Sequence, residues 1–461
     1  MPTTFTRRGL MASTATLAAA SLLPARPARS AETRLVARRR TLDVNGRAAS
    51  VFGLTTDNGS TGLTLEPDQP FALTLENKTG EATIVHWHGQ TPDPAQDGVA
   101  STGYAELIAD GQSQAYDFQP RPGTHWMHSH RGLQEQSLFA APLIVRSAAD
   151  ATADRQEVVL MLQDFSFRSP EELLADLSAA GGMGHMGGMG GMGGMMANDV
   201  EYDAFLANDR TLADPQVIRT EAGGAVLLRI INAASTTAFW IDLGETVGTI
   251  VAVDGNPVVP ITAHAFPIAA AQRADVMLTV PAGGVVPVLA QREEDRARTG
   301  IMLAAPGAQV AKIAEVAGSV APTVAFQLEL QLAAAHPLAD KTVGTSLRVQ
   351  LSGGMMSYVW GIDGRTWNDH APLAVTAGER VVFAIENHSM MAHPMHLHGH
   401  HFQVIGINGQ PLAGAMRDTV LVPPMNWLEI AFDADNPGRW LFHCHNLYHM
   451  ATGMMTEVTY G

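Results

Sequence analysis

The chain predicts an all-β protein of three β-sandwich domains. Its 461 residues suit three units at ~150 residues per domain. Glycine (44) and proline (26) are plentiful and aromatic residues few (6%), a composition of short strands and tight turns. One strand-like run also recurs in each third: Phe71 to Asn77, Val226 to Asn232 and Val381 to Asn387, each closing on asparagine.

The first element is an export signal over residues 1–30. Arg7-Arg8-Gly9-Leu10 precedes an apolar and small-residue stretch from Met11 to Leu23, with a cleavage site expected near Ala28-Arg29-Ser30. The paired arginines mark it as twin-arginine type, a route for proteins exported already folded. No run of 18 or more apolar residues follows. A periplasmic or secreted protein without membrane association is therefore expected. The formal charge of −16 argues against nucleic acid or anionic lipid as partner and tolerates cationic substrates.

Residues 31–150 and 311–461 read as two copies of one domain. Asn77 precedes His86-Trp87-His88-Gly89 as Asn387 precedes His396-Leu397-His398-Gly399. Pro122 to His130, ending His128-Ser129-His130, parallels Pro437 to His445, ending His443-Cys444-His445. Residues 151–310 repeat the strand framework without any His-x-His and are expected to act as scaffold. Within them, Glu171 to Ser178 suits a short helix. Residues 181–196 place Met183, Met186, Met189, Met192 and Met195 at every third position among glycines, with His185 inside and Met196 at the end. That period fits neither helix nor strand. Thioethers are soft donors suited to Cu(I).

Cys444 is the only cysteine, so it forms no internal disulfide. Thiolate, imidazole and a weak thioether make up a blue-copper ligand set. In a strand successive side chains alternate faces, so His443 and His445 point away from whatever Cys444 binds. The full set is His86-x-His88, His128-x-His130, His393-x-x-His396-x-His398, and His443-Cys444-His445 followed by His449 and Met454.

With all four motifs present, the chain resembles the three-domain multicopper oxidases of the laccase and bacterial copper-tolerance type. The resemblance implies three cupredoxin-like Greek-key β-sandwiches and four copper ions: one type 1, one type 2 and two type 3. It implies His393, Cys444, His449 and Met454 as type 1 ligands, and His86 and His396 as type 2 ligands. It implies His88, His128, His130, His398, His443 and His445 as the type 3 ligands, three per copper. Electrons would pass from type 1 through Cys444 and its flanking histidines to dioxygen. Asp97, in Asp97-Gly98, stands where the family places a carboxylate near the cluster and is a candidate proton donor, though Asp-Gly is also ordinary turn chemistry. Relatives often carry an acid after the second type 1 histidine; here Met450 follows His449.

The motifs fix the oxidant and leave the reductant open between phenolic or aromatic compounds and Cu(I). Met390 and Met391 beside His393, with the methionine-rich loop, favour Cu(I) capture. Ser389, where copper-tolerance relatives often have aspartate, counts against it. A dedicated cuprous oxidase is the alternative, and a non-catalytic cupredoxin scaffold or electron carrier the alternative from another class. His125, His400 and His401 lie off the motif spacing and are expected at the surface or behind the ligands. One chain holds both halves of the cluster, so a monomer is expected.

Overall fold

The computed structural model describes residues 33–180 and 198–461, and residues 34–461 form one compact unit. Its described sheets fall into three pairs along the chain. The first pair joins Arg47–Thr56, Thr33–Val44, Phe71–Lys78 and Ser113–Phe118 in one sheet and Leu63–Leu65, Ala140–Val145, Gly123–Ser129 and Val85–His88 in the other. The middle pair, of six and five strands, lies within residues 156–304. The last pair, of seven and five strands, lies within 343–460, its smaller sheet carrying His393–Leu397 beside Arg439–Cys444. Parallel pairings such as Val343–Gly354 with Arg380–Asn387 break each meander, as Greek-key connections require.

Alternation drives the strands. In Phe71–Lys78 the odd positions Phe71, Leu73, Leu75 and Asn77 are buried and the intervening ones face out or half out. Each sandwich closes over its own apolar cluster, the first holding Trp87 and Phe139 and the last Phe383, Trp360 and Trp440. Full burial of side chains of this kind contributes roughly 1.5–3 kcal/mol each.

The three repeated asparagines play one role. Asn77 Nδ2 donates to the carbonyls of Glu81 (2.7 Å) and Ile108 (2.8 Å), while its Oδ1 accepts from Thr79 N (3.0 Å). Asn232 Nδ2 donates to Thr237 and Ile268, and Oδ1 accepts from Ala234 N. Asn387 Nδ2 donates to Met391 and Val422, and Oδ1 accepts from Ser389 N. Each amide ties the end of its strand to the next loop and to another backbone segment. A buried amide stripped of these partners costs about 1–3 kcal/mol.

Helix is sparse. Pro170–Ala180 forms the helix expected near Glu171, lengthened at both ends. Leu447–Ala451 is a short helix capped by Asn446, whose Oδ1 accepts from Tyr448 N and His449 N. Among the described residues no helix is long and apolar enough to cross a membrane.

Candidate metal centre

Strand register brings the motifs together. Val85–His88 runs antiparallel to Gly123–Ser129 with His86 opposite His128. His393–Leu397 runs antiparallel to Arg439–Cys444 with His396 opposite His443 and Met395 opposite Cys444. The two copies thus share one register, and Ser129 occupies the place of Cys444.

His393, Cys444 and His449 form one buried group. Their Nδ1 atoms stand 3.0 Å apart, and Cys444 Sγ lies 3.6 and 3.7 Å from them. His393 Nε2 faces Ser389 Oγ at 2.7 Å and His449 Nε2 faces Asp199 Oδ2 at 2.9 Å. With both Nε2 atoms turned to these oxygens, the two Nδ1 atoms and the sulfur converge on one point, which suits a soft cation. Burial pushes the Cys444 thiol up, although the Asn446 N–H on its sulfur opposes this, and Asp199 adds to the rise. A bound cation supplies the charge that makes a thiolate tenable there. Met454 is fully buried, and its carbonyl accepts from Cys444 N.

The remaining eight histidines form a second centre between the first and last thirds. His88, His128 and His445 make one triad, His130, His398 and His443 another, and His86 joins His396 and His88. His398 Nδ1 faces Asp97 Oδ2 (2.9 Å) and His443 Nδ1 faces the Cys444 carbonyl (2.9 Å). Their Nε2 atoms therefore present lone pairs to each other at 3.0 Å, an arrangement that calls for a cation. His86 Nε2, His88 Nδ1, His128 Nε2, His130 Nε2, His396 Nε2 and His445 Nε2 are buried without a hydrogen-bond partner among the described residues. Orphaned ring nitrogens of this kind are costly and fit a metal. Burial, helped by neighbouring rings, holds His88, His128, His130, His396, His398 and His445 well below the usual imidazole range and brings His443 down to about 3. They are held as neutral ligands.

Three multicopper oxidase family profiles match residues 46–150, 156–298 and 341–461. The chain is 32% identical to a multicopper oxidase of Mycobacterium tuberculosis over 84% of its own length and 79% of that protein's. It belongs to the multicopper oxidase family. Copper resistance protein A of Escherichia coli is 25% identical, with 84% of this chain and 85% of that protein covered. Among solved structures, a laccase from Botrytis aclada overlays with a TM-score of 0.76 at 23% identity, covering 92% of this chain and 87% of that one. As a multicopper oxidase the chain is an enzyme with type 1, 2 and 3 coppers, four in all, and dioxygen as acceptor.

Several expected residues stand elsewhere than the sequence suggested. Met391 is buried in the core of the last domain, which removes it from any surface capture site, whereas Met390 is 56% exposed. Met183, His185, Met186, Met189, Met192, Met195 and Met196 lie outside the described residues. Of the two places expected for His125, His400 and His401, burial leaves the one behind the ligands: His125 and His400 are buried, and the His401 side chain is nearly so. His401 bridges Asn256 and the Gly89 carbonyl.

Besides Asp97, three carboxylates that the sequence motifs do not single out stand against these histidines. Glu135 Oε2 lies 2.8 Å from His128 Nδ1, with burial and Asp164 pushing its carboxyl well up. Asp418 contacts His88, and Asp199 contacts His449. Glu135 follows a His-x-His closely and was the one findable signal; the other two sit far from their partners in sequence.

The first third keeps the outline of the His393, Cys444 and His449 group without its ligating side chains. Thr83, Ser129, Gln134 and Phe139 stand at the offsets from His86 and His128 that His393, Cys444, His449 and Met454 hold from His396 and His443. Ser129 N donates to the Phe139 carbonyl (2.9 Å) as Cys444 N does to that of Met454 (3.0 Å). Thr83 Oγ1 and Ser129 Oγ both donate to Gln134 Oε1, at 2.8 and 2.7 Å. Hydrogen bonds fill the place of the metal.

Proposed function

We propose that His393, Cys444, His449 and Met454 hold the type 1 copper, His86 and His396 the type 2 copper, and the two histidine triads the type 3 pair. One observation carries this: Cys444 Sγ belongs to the first group while its chain neighbours His443 and His445 belong to the two triads. Copper bound there would supply one-electron oxidation of the reductant at type 1 and four-electron, four-proton reduction of dioxygen to two waters at the cluster. The backbone of residues 443–445 supplies the covalent path, and Asp97, on His398 and close to His86, is placed to hold and pass protons.

The reductant is a small molecule of the phenolic or aromatic kind, with Cu(I) as a second substrate supported by exposed Met390 and by the methionine-rich loop 181–196. The acting species is an exported monomer, since one chain holds both halves of the cluster. Three cupredoxin units at 31–150, 151–310 and 311–461 agree with the grouping of the sheets.

Copper content and spectra test the site: about four coppers, a blue thiolate band and a near-ultraviolet type 3 shoulder are expected, and one copper or none overturns it. Oxygen uptake with Cu(I) against a phenol, in wild type and with residues 181–196 deleted, tests the substrate. A selective loss of Cu(I) turnover supports capture by the loop, and unchanged Cu(I) turnover removes the loop from the mechanism.

A further inference from the structure

The middle third provides none of the twelve expected ligands, yet it reaches the cluster through Arg273. We propose that Arg273 is a positioning residue for the trinuclear site, clamping Asp418 so that His88 offers Nδ1 and His396 offers Nε2 to the metal. This rests on the ligand assignment above.

The clamp is fixed from all three thirds of the chain. Arg273 opens the strand Arg273–Thr279 and is fully buried. Its Nε donates to the Thr124 carbonyl (3.2 Å), and its Nη1 donates to the Ala271 carbonyl (3.1 Å) and Asp418 Oδ1 (2.7 Å). Its Nη2 donates to Asp418 Oδ2. Two parallel N–H···O bonds of this kind fix orientation as well as distance.

Asp418 hands that orientation to the histidines. Its Oδ1 lies 3.1 Å from His88 Nε2, and its backbone carbonyl accepts from His396 Nδ1 at 2.8 Å. The His88 proton is thereby drawn to Nε2, leaving Nδ1 as the free lone pair, whereas His86, His128, His396, His398 and His443 engage Nδ1 and leave Nε2. His88 is turned the opposite way from these neighbours, held there by Asp418 Oδ1 and by Thr419 Oγ1, each 3.1 Å from its Nε2, and Thr419 Oγ1 itself donates to Asp418 Oδ1 (2.9 Å).

The clamp is closely packed. A side chain at Gly89, beside His88, would come within 2.6 Å of Arg273 Nη2 and 2.9 Å of Asp418 Oδ2. Behind the pair, Asp254 accepts from Arg273 N (2.9 Å) and Arg417 Nη1 (3.1 Å), and Arg417 Nε donates to Glu329 (2.7 Å). Charges alternate from Glu329 through Arg417, Asp254 and Arg273 to Asp418. Without Arg273, Asp418 is a buried carboxylate lacking its cation, which must turn away or neutralise. Either change releases His88.

The test uses the full copper-loaded chain with Arg273→Met, Arg273→Lys and Arg229→Met. Arg229 is as deeply buried, is paired with Asp275 and Glu157 and donates to Thr124 Oγ1 (3.0 Å), but it touches neither Asp418 nor a cluster histidine. Copper content, the type 2 electron-paramagnetic signal, the near-ultraviolet band and the blue band are read together. Arg273→Met is expected to keep the blue band while losing at least half of the near-ultraviolet band and shifting the type 2 hyperfine splitting. Arg273→Lys should recover part of both, and Arg229→Met should match wild type.

Unchanged type 2 and type 3 signals in Arg273→Met overturn the proposal. So does joint loss of blue and cluster signals, or the same cluster loss in Arg229→Met. Should Arg273→Met fail to accumulate, Arg273→Lys decides alone: a shifted type 2 splitting supports the clamp, and an unshifted one overturns it. Absence of cluster signals from wild type itself would instead refute the ligand assignment.

Discussion

Asp199 Oδ2 lies 2.9 Å from His449 Nε2, with both side chains fully buried. The same oxygen accepts from the Tyr358 hydroxyl (2.9 Å) and Asn446 Nδ2 (3.0 Å). Burial pushes the Asp199 carboxyl up, but His449 and these hydrogen bonds outweigh it and hold it low. A residue of the middle third thus places a negative charge behind His449, one of the proposed type 1 ligands. It stabilises the more highly charged, oxidised metal. Across the ring, roughly 7 Å at an effective dielectric of ~20, that charge is worth about 2 kcal/mol, on the order of 100 mV for one electron. Asp199→Asn should raise the type 1 potential by that order in a redox titration of the blue band. An unchanged or lower potential would remove Asp199 from the tuning of the site.

Asp97 contacts both halves of the cluster: Oδ2 faces His398 Nδ1 and its backbone carbonyl faces His86 Nδ1, each at 2.9 Å. Asparagine at this position keeps an acceptor for His398 but cannot carry a proton. Asp97→Asn should retain its copper and its anaerobic reduction by substrate, while steady oxygen consumption falls about 100-fold. Wild-type oxygen consumption would assign Asp97 to turn formation alone.

The hydrogen-bonded triangle of Thr83, Ser129 and Gln134 predicts a gain of metal. Combining Thr83→His, Ser129→Cys, Gln134→His and Phe139→Met restores the type 1 pattern at matching register. The variant should bind one further copper and show a stronger blue band. A copper content equal to wild type would mean that the first sandwich no longer has the required geometry.

Glu293 links stability to pH. Burial pushes its carboxyl up to about 8, with the Val324 N–H opposing that rise and Glu294 adding to it. Between about pH 4.5 and 8 the unfolded chain gives up this proton and the folded chain keeps it, so stability falls as pH rises through that window. The slope is about 1.4 kcal/mol per pH unit from this group. Glu293→Gln removes it, so the variant's melting temperature relative to wild type should be higher at pH 8.5 than at pH 5. Parallel melting curves across that range would show that Glu293 ionises normally.

The copper-binding pattern was legible because a strand's period of two places His-x-His on one face and isolates Cys444 from His443 and His445. The repeated asparagines were legible as strand ends, and their shared hydrogen bonds explain why that residue recurs. Asp199, Asp418 and Arg273 were not legible. Each has its partner far away in sequence, as with His88 and Asp418, 330 residues apart. Met391 misled because a methionine beside a ligand looks the same in sequence whether it faces solvent or core.

Asp97 and His398 touch although 301 residues separate them. The cluster is therefore incomplete until the ribosome has made nearly the whole chain. At roughly 5–20 residues per second, the histidines at 86–130 spend many seconds without the residues that complete their triads. A truncated or half-made chain has no centre able to reduce dioxygen. Oxygen chemistry is withheld from any product whose synthesis stops before His445.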